Sequence, residues 1–226
     1  MKLEASNHEI PLVRRHEEYY FVDGNVILLA EDVLFNLHRS LLERYSPVFR
    51  DMWAMPGSSD SLAELEGASD ANPIVIHTSA YDFERFLWIF YPAQWGIYRP
   101  SSEAEWRSVL DQGEKWQVSG IKYLAGRKLL GLPLNPVEKV RLWRIYDLTE
   151  GRHWLFETYI DLARRDKKFE AKEIEDIGVE TFAAIAKARE LLLERHSSYR
   201  TNRATYRSYV VLKEVFPGLE EPVFKY

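Results

Sequence analysis

The chain has 226 residues, with 30 Lys and Arg against 35 Asp and Glu, a formal net charge of −5. A molecule of that balance is not built to coat nucleic acid. It has no cysteine, which excludes disulfides, thiolate zinc sites and cysteine nucleophiles and fits a reducing compartment, cytoplasmic or nuclear.

Residues 1–16 are polar and aperiodic and read as an N-terminal arm. They contain no apolar core flanked by a small-residue cleavage site, so no secretion signal is expected. From Glu17 the pattern changes. Tyr19–Val22 and Val26–Ala30 are β-rich and flank Asp23-Gly24-Asn25, a strong turn signal. Glu31-Asp32 makes a second turn and Val33–Leu37 another strand, and two short strands joined so tightly predict a hairpin. His38 to Trp53 reads as two short helices breaking at Tyr45-Ser46, with Ser46 as N-cap and Pro47 at the first helical position. Residues 56–72 are rich in Gly, Ser, Asp and Asn and read as an exposed loop, followed by a brief strand from Pro73 to His77.

The remainder is helical in pattern. Ser79 caps a helix whose Phe83, Phe86, Leu87, Phe90 and Tyr91 fall at spacings of three and four, with Pro92 ending it. Within it, Phe86 to Tyr91 is the longest uninterrupted apolar run, far short of a membrane span. Ser102-Glu103-Ala104-Glu105 is a capping box opening a helix to about Trp116, and a further helix runs from Ile121 to Leu130 before Gly131 and Pro133. Asn135-Pro136-Val137-Glu138 opens another, to about Tyr146. Amphipathic helices are predicted over Trp154–Arg164 and Thr181–Arg195, with a short one over Lys172–Ile177 between them. Arg195 to Arg207 holds four Arg and one His with no acidic residue, and the stretch that follows is too apolar for a purely disordered tail. Strands first and helices after imply an α+β fold, a small sheet capped by helices.

No chemistry is advertised. There is no Gly-x-Ser-x-Gly and no Gly-rich phosphate loop, and the carboxylates are spaced like helix surface charges. His38 has no second His at i+4, so it reads as a partly buried histidine hydrogen-bonded to backbone, not as a base or metal ligand. The expectation is no enzyme, no cofactor and no metal.

The segment Phe35-Asn36-Leu37-His38-Arg39-Ser40-Leu41-Leu42-Glu43-Arg44-Tyr45-Ser46-Pro47-Val48-Phe49-Arg50-Asp51-Met52 resembles the signature of the BTB/POZ family. Phe35, His38, Arg39, Leu42, Ser46, Phe49 and Met52 occupy the matching places. Phe83 and Tyr91 stand where that family opens and closes the helix after its third strand, and Trp106, Leu110, Trp116, Ile121, Leu124 and Leu129 resemble its last two helices. The likeness covers residues 17–132. It leaves a helical extension over 133–195 and a tail over 196–226. Trp154-Leu155, Ile177-Gly178 and Ala188-Arg189-Glu190 make the later stretch similar to the BTB proteins expanded in mushroom-forming fungi.

Three features depart from the family. Asn25 stands where many members have an Asp, which puts the family's charged pocket in doubt although Asp23 lies close by. Tyr91-Pro92-Ala93 replaces a usual Tyr-Thr-Gly, and the arm shows no amphipathic helix. The resemblance implies a BTB/POZ-like small sheet with a helical cluster and a function in protein–protein interaction. It implies self-association, as a homodimer, through the first signature helix, with Arg39, Leu41 and Tyr45 as contact residues and Leu42 in the core. It also implies, for some members, recruitment of a cullin-type ubiquitin ligase scaffold, for which Leu62 and Glu64 in the 56–72 loop match a hydrophobic-x-Glu element. A transcription-related regulator whose Arg-bearing tail contacts nucleic acid is the alternative, and an enzyme with a pocket in the helical region a third reading.

Overall fold

A computed structural model of the chain describes residues 13–54, 66–94, 96–148, 152–196 and 204–217, the side chains of 152–154, 195–196 and 204–207 apart. The fold is α+β, a small mixed sheet followed by helices, and it divides into two compact units, residues 1–121 and 122–226.

The first unit is built around β3 (Val33–Leu37), every residue of which is buried. A strand with no solvent face needs partners along both edges. β2 (Val26–Ala30) takes one edge antiparallel, Val26 opposite Leu37 and Ala30 opposite Val33, through a turn in which Glu31 adopts φ 54°. β1 (Arg14–Tyr20) takes the other edge in parallel, and β4 (Ile74–Val75) lies parallel to β2, giving the order β1-β3-β2-β4. One expectation changes here. Arg14 to His16, read as part of the arm, belong to a strand, and that strand stops at Tyr20. The expected hairpin is present as β2 and β3, joined at Glu31-Asp32, while the turn Asp23-Gly24-Asn25 leads from β1, which pairs with β3, into β2. The turn has a strict requirement: a Cβ on Gly24 would collide with the Asn36 carboxamide, so only glycine passes there.

α1 (Arg39–Tyr45) and α2 (Pro47–Ala54) are separated by Ser46, whose extended backbone breaks the helix. Ser46 is fully buried. Its Oγ accepts from the Phe49 N–H at 3.1 Å and donates to the Trp116 carbonyl at 2.6 Å, so one hydroxyl caps α2 and fastens it to a distant turn. α3 (Ala80–Phe90) starts on Ser79, which accepts from Asp82 N–H, and α4 (Glu103–Lys115) on the Ser102–Glu105 capping box. α5 (Ser119–Leu130) begins at the end of this unit and belongs for most of its length to the second. Phe35, Phe49, Phe83, Phe86, Leu42 and Leu110 are inaccessible to solvent. Phe49 stacks on Trp116 at 4.4 Å and Phe83 meets Phe35 edge-on at 5.1 Å, geometries that add to the burial itself.

Residues 66–72 are not a free loop. The Gly67 carbonyl accepts from Ile27 N–H at 2.8 Å, and Asp70 receives hydrogen bonds from the Arg15 guanidinium and the Tyr20 hydroxyl. Those two donors hold the Asp70 carboxyl below its ordinary pKa.

The second unit packs α6 (Pro136–Ile145), α7 (Arg152–Arg164), α8 (Ala171–Ile177), α9 (Val179–His196) and α10 (Ala204–Val215) around one apolar core. Val137, Leu155, Leu162, Ile177, Ile185 and Leu212 are all within it. The tail over 196–226 therefore contains a helix, and Val211 and Leu212 join the same core as α7 and α9. Gly178, at φ 84°, turns the chain from α8 into α9 in a left-handed conformation that favours glycine.

Candidate functional site

α1 is seven residues long, so its side chains divide sharply between inside and outside. Leu42 is buried completely. Leu41 and Tyr45, four residues apart, share one outward stripe, Leu41 half-buried and Tyr45 49% exposed. Beside them is Phe90 at the end of α3, half-buried, its ring 5.9 Å from that of Tyr45. One turn back on the same side of α3, Phe86 and Leu87 fill the core, and the Phe86 ring meets that of Phe90 at 4.9 Å. The result is an apolar surface of Leu41, Tyr45 and Phe90 at the margin of the core, carried by two helices whose neighbouring residues Leu42, Phe86 and Leu87 are fully buried.

Arg39 does not join this stripe. Two positions from Leu41, it points about 200° away around the helix. There it donates to Glu43 at 2.7 Å and lies over the Trp53 ring at 5.0 Å. Trp53 in turn stacks on Phe49 at 5.4 Å. The expected contact set of Arg39, Leu41 and Tyr45 therefore resolves into two adjoining faces. Trp53 and Phe90 complete them, and no short-range spacing in the sequence marks either, because both pairings join different elements.

The N-terminus of α1 is held by groups from three places. His38, at the cap position, offers the helix no side-chain hydrogen bond. Asn25 supplies it instead, accepting from Arg39 N–H at 2.8 Å. A carboxamide keeps the acceptor of an aspartate and drops its charge. The His38 ring places Nδ1 3.2 Å from the Tyr91 hydroxyl and Nε2 3.4 Å from the Asp23 carboxylate. The expected backbone partner for the ring is replaced by these two side chains; the backbone N–H of His38 also points to the Tyr91 hydroxyl, at 3.3 Å. Burial pushes the Tyr91 hydroxyl above its ordinary pKa, so it stays protonated and serves as a tie. Phe35, Phe49 and Ser46 are buried and Met52 is half-buried, so these signature residues build the frame beneath the surface.

Leu62 and Glu64 lie outside the described residues, as does most of the Arg195–Arg207 stretch. Among the described residues no cluster of His, Asp and Glu is arranged to hold a metal ion, and no helix is long and apolar enough to cross a membrane. The second unit carries an open cleft of about 420 Å³ lined by Arg141, Arg144, Ile145, Glu175 and Asp176. Its charges are mutually occupied: Arg144 donates to the Glu175 and Asp176 carbonyls, and Arg141 lies 3.0 Å from Glu138 and 3.6 Å from Asp176.

No protein-family model matches the chain, and no curated protein matches its sequence.

Proposed function

We propose that this chain is a protein–protein interaction module of the BTB/POZ type that self-associates as a homodimer through α1 and the end of α3. The reading rests on the apolar stripe of Leu41, Tyr45 and Phe90, whose supporting helices anchor it through the adjoining buried Leu42, Phe86 and Leu87. A rigid, preorganised apolar face loses little conformational entropy on docking, and a two-fold axis lets one such face bury itself against its copy. Tyrosine suits the role, with large contact area and only two torsions to freeze. Recruitment of a cullin-type scaffold belongs to the same proposal and would use Leu62 and Glu64.

Sedimentation equilibrium at micromolar concentration tests the reading. The expected result is a dimer that Leu41→Asp weakens by about 2–4 kcal/mol, the range for a buried interface anchor. A wild-type monomer throughout that range overturns it.

A further inference from the structure

His16 sits in the middle of β1, and its ring folds back onto its own strand. Nδ1 accepts from two backbone N–H groups, those of Glu18 at 3.1 Å and Tyr19 at 3.0 Å. This is where the pairing of β1 with β3 loses register, between Arg15 and Tyr20. The imidazole lone pair thus takes over part of the work that a regular ladder would do. The ring lies on Phe35 at 4.8 Å, and the side chain is only 15% exposed.

This geometry fixes the tautomer. Nδ1 is the acceptor, so the proton of the neutral ring is on Nε2, facing Glu84 at 3.9 Å. A second proton has one place to go, the Nδ1 position at which two N–H groups already point. Its arrival ends both hydrogen bonds and sets a donor against two donors.

We propose that His16 is a proton-operated latch: protonation at Nδ1 unpins the Arg15–Tyr20 stretch of β1 and uncovers the edge of β3. The surrounding charges do little to compensate. On β1, Arg14 opposes the protonated ring, while Glu17 and Glu18 favour it. Glu18, however, is already held by Arg99, from the segment before α4, at 2.7 Å. On α3, Glu84 is shared with Arg85 at 3.7 Å and with the Trp88 indole N–H at 3.3 Å. β3 presents only the uncharged Phe35 ring. Burial accordingly pushes the His16 imidazole below its ordinary pKa of 6.5. A group depressed in this way contributes stability in full above 6.5 and loses it as the pH falls from there through the folded-state value. An uncovered β3 edge is a row of unpaired backbone groups competent to take up another extended segment.

The test is amide hydrogen exchange on the full chain, corrected for the intrinsic pH dependence of exchange. Between pH 7.5 and pH 5, protection at Glu18 and Tyr19 is expected to fall at least tenfold while Leu28 on β2 holds. His16→Asn keeps an oxygen able to accept from the amides two and three residues on, without titrating, and should abolish the fall. Unchanged protection in the wild type, or the same fall in His16→Asn, overturns the proposal. A measurement on the wild type alone guards against a variant that does not fold: imidazole nitrogen shifts should report an unprotonated Nδ1 at pH 7.5 whose titration coincides with the loss of protection. A protonated Nδ1 at pH 7.5 would equally overturn it.

Discussion

Ser46 joins three requirements in one hydroxyl: it ends α1, caps α2 and holds the Trp116 carbonyl, with no exposure to water. Removing the Oγ by Ser46→Ala leaves a buried acceptor and a helix N–H without partners. A cost of about 1–3 kcal/mol is expected, at the upper end because both losses fall on one site. Urea denaturation followed by tryptophan fluorescence would measure it, and an unchanged midpoint would count against the assigned bonds. Gly24 is the second residue with a strict role. Gly24→Ala forces its Cβ onto Asn36, whose Nδ2 donates to the Phe21 carbonyl at 2.6 Å and cannot retreat without losing that bond. A drop in melting temperature is expected from Gly24→Ala, whereas alanine at Gly120, within α5 and with open space around it, should hold the temperature or raise it slightly.

At the scale of elements, the helix starts are set by local chemistry and carry a pH signature. Glu105 accepts from the backbone N–H groups of Ser101 and Ser102, which holds its carboxyl at about 2. Glu173, at the start of α8, is held at about 2 chiefly by hydrogen bonds from the Arg165 guanidinium, with the Glu170 N–H second. Both groups have folded-state values below the ordinary 4.5, so the unfolded chain binds more protons in that interval. Their stabilising effect is complete above 4.5 and is lost as the pH falls toward 2. Glu105→Gln keeps an acceptor and removes the titration, so its melting temperature should depend less steeply on pH between 4.5 and 2 than that of the wild type. Parallel slopes in calorimetry would refute the role given to Glu105. The effect of His16 sets in as the pH falls from 6.5, before either carboxylate begins to take up protons.

At the scale of the whole molecule, α10 is an integral part of the second unit. Leu212 is fully buried in the core shared with Leu155, Leu162 and Ile185. Leu212→Ala should cost about 2–5 kcal/mol, the range for a leucine truncated in a packed core. Reduced amide protection along α7 and α9 would be the observable, and wild-type protection there would place Leu212 outside the cooperative core. Tyr159, also in this core and stacked on Phe216 at 4.5 Å, has its hydroxyl pushed up to about 12 by burial, so its contribution to the unit's stability is complete below the ordinary 10.0 and is lost as the pH rises from there through about 12.

The chain's own order of residues determined the features that depend on near neighbours. Ser46-Pro47, Ser79, Ser102 with Glu105, and Asn135-Pro136 each specify a helix start within three positions, and each helix begins there. The alternation from strands to helices likewise made the α+β class legible. Tertiary structure alone decided which partner β1 takes, since a strand's partner depends on which edge the buried β3 leaves open. It also decided that α10 closes a core, because an apolar tail acquires a place only when α7 and α9 present a matching groove. The candidate surface follows the same division. Leu41 and Tyr45 can be read from helical spacing, but Phe90, Trp53, Asn25 and Tyr91 cannot: hydrogen bonds and ring contacts act over a few ångströms in space, whatever the separation along the chain, and for His38 and Tyr91 that separation is 53 residues.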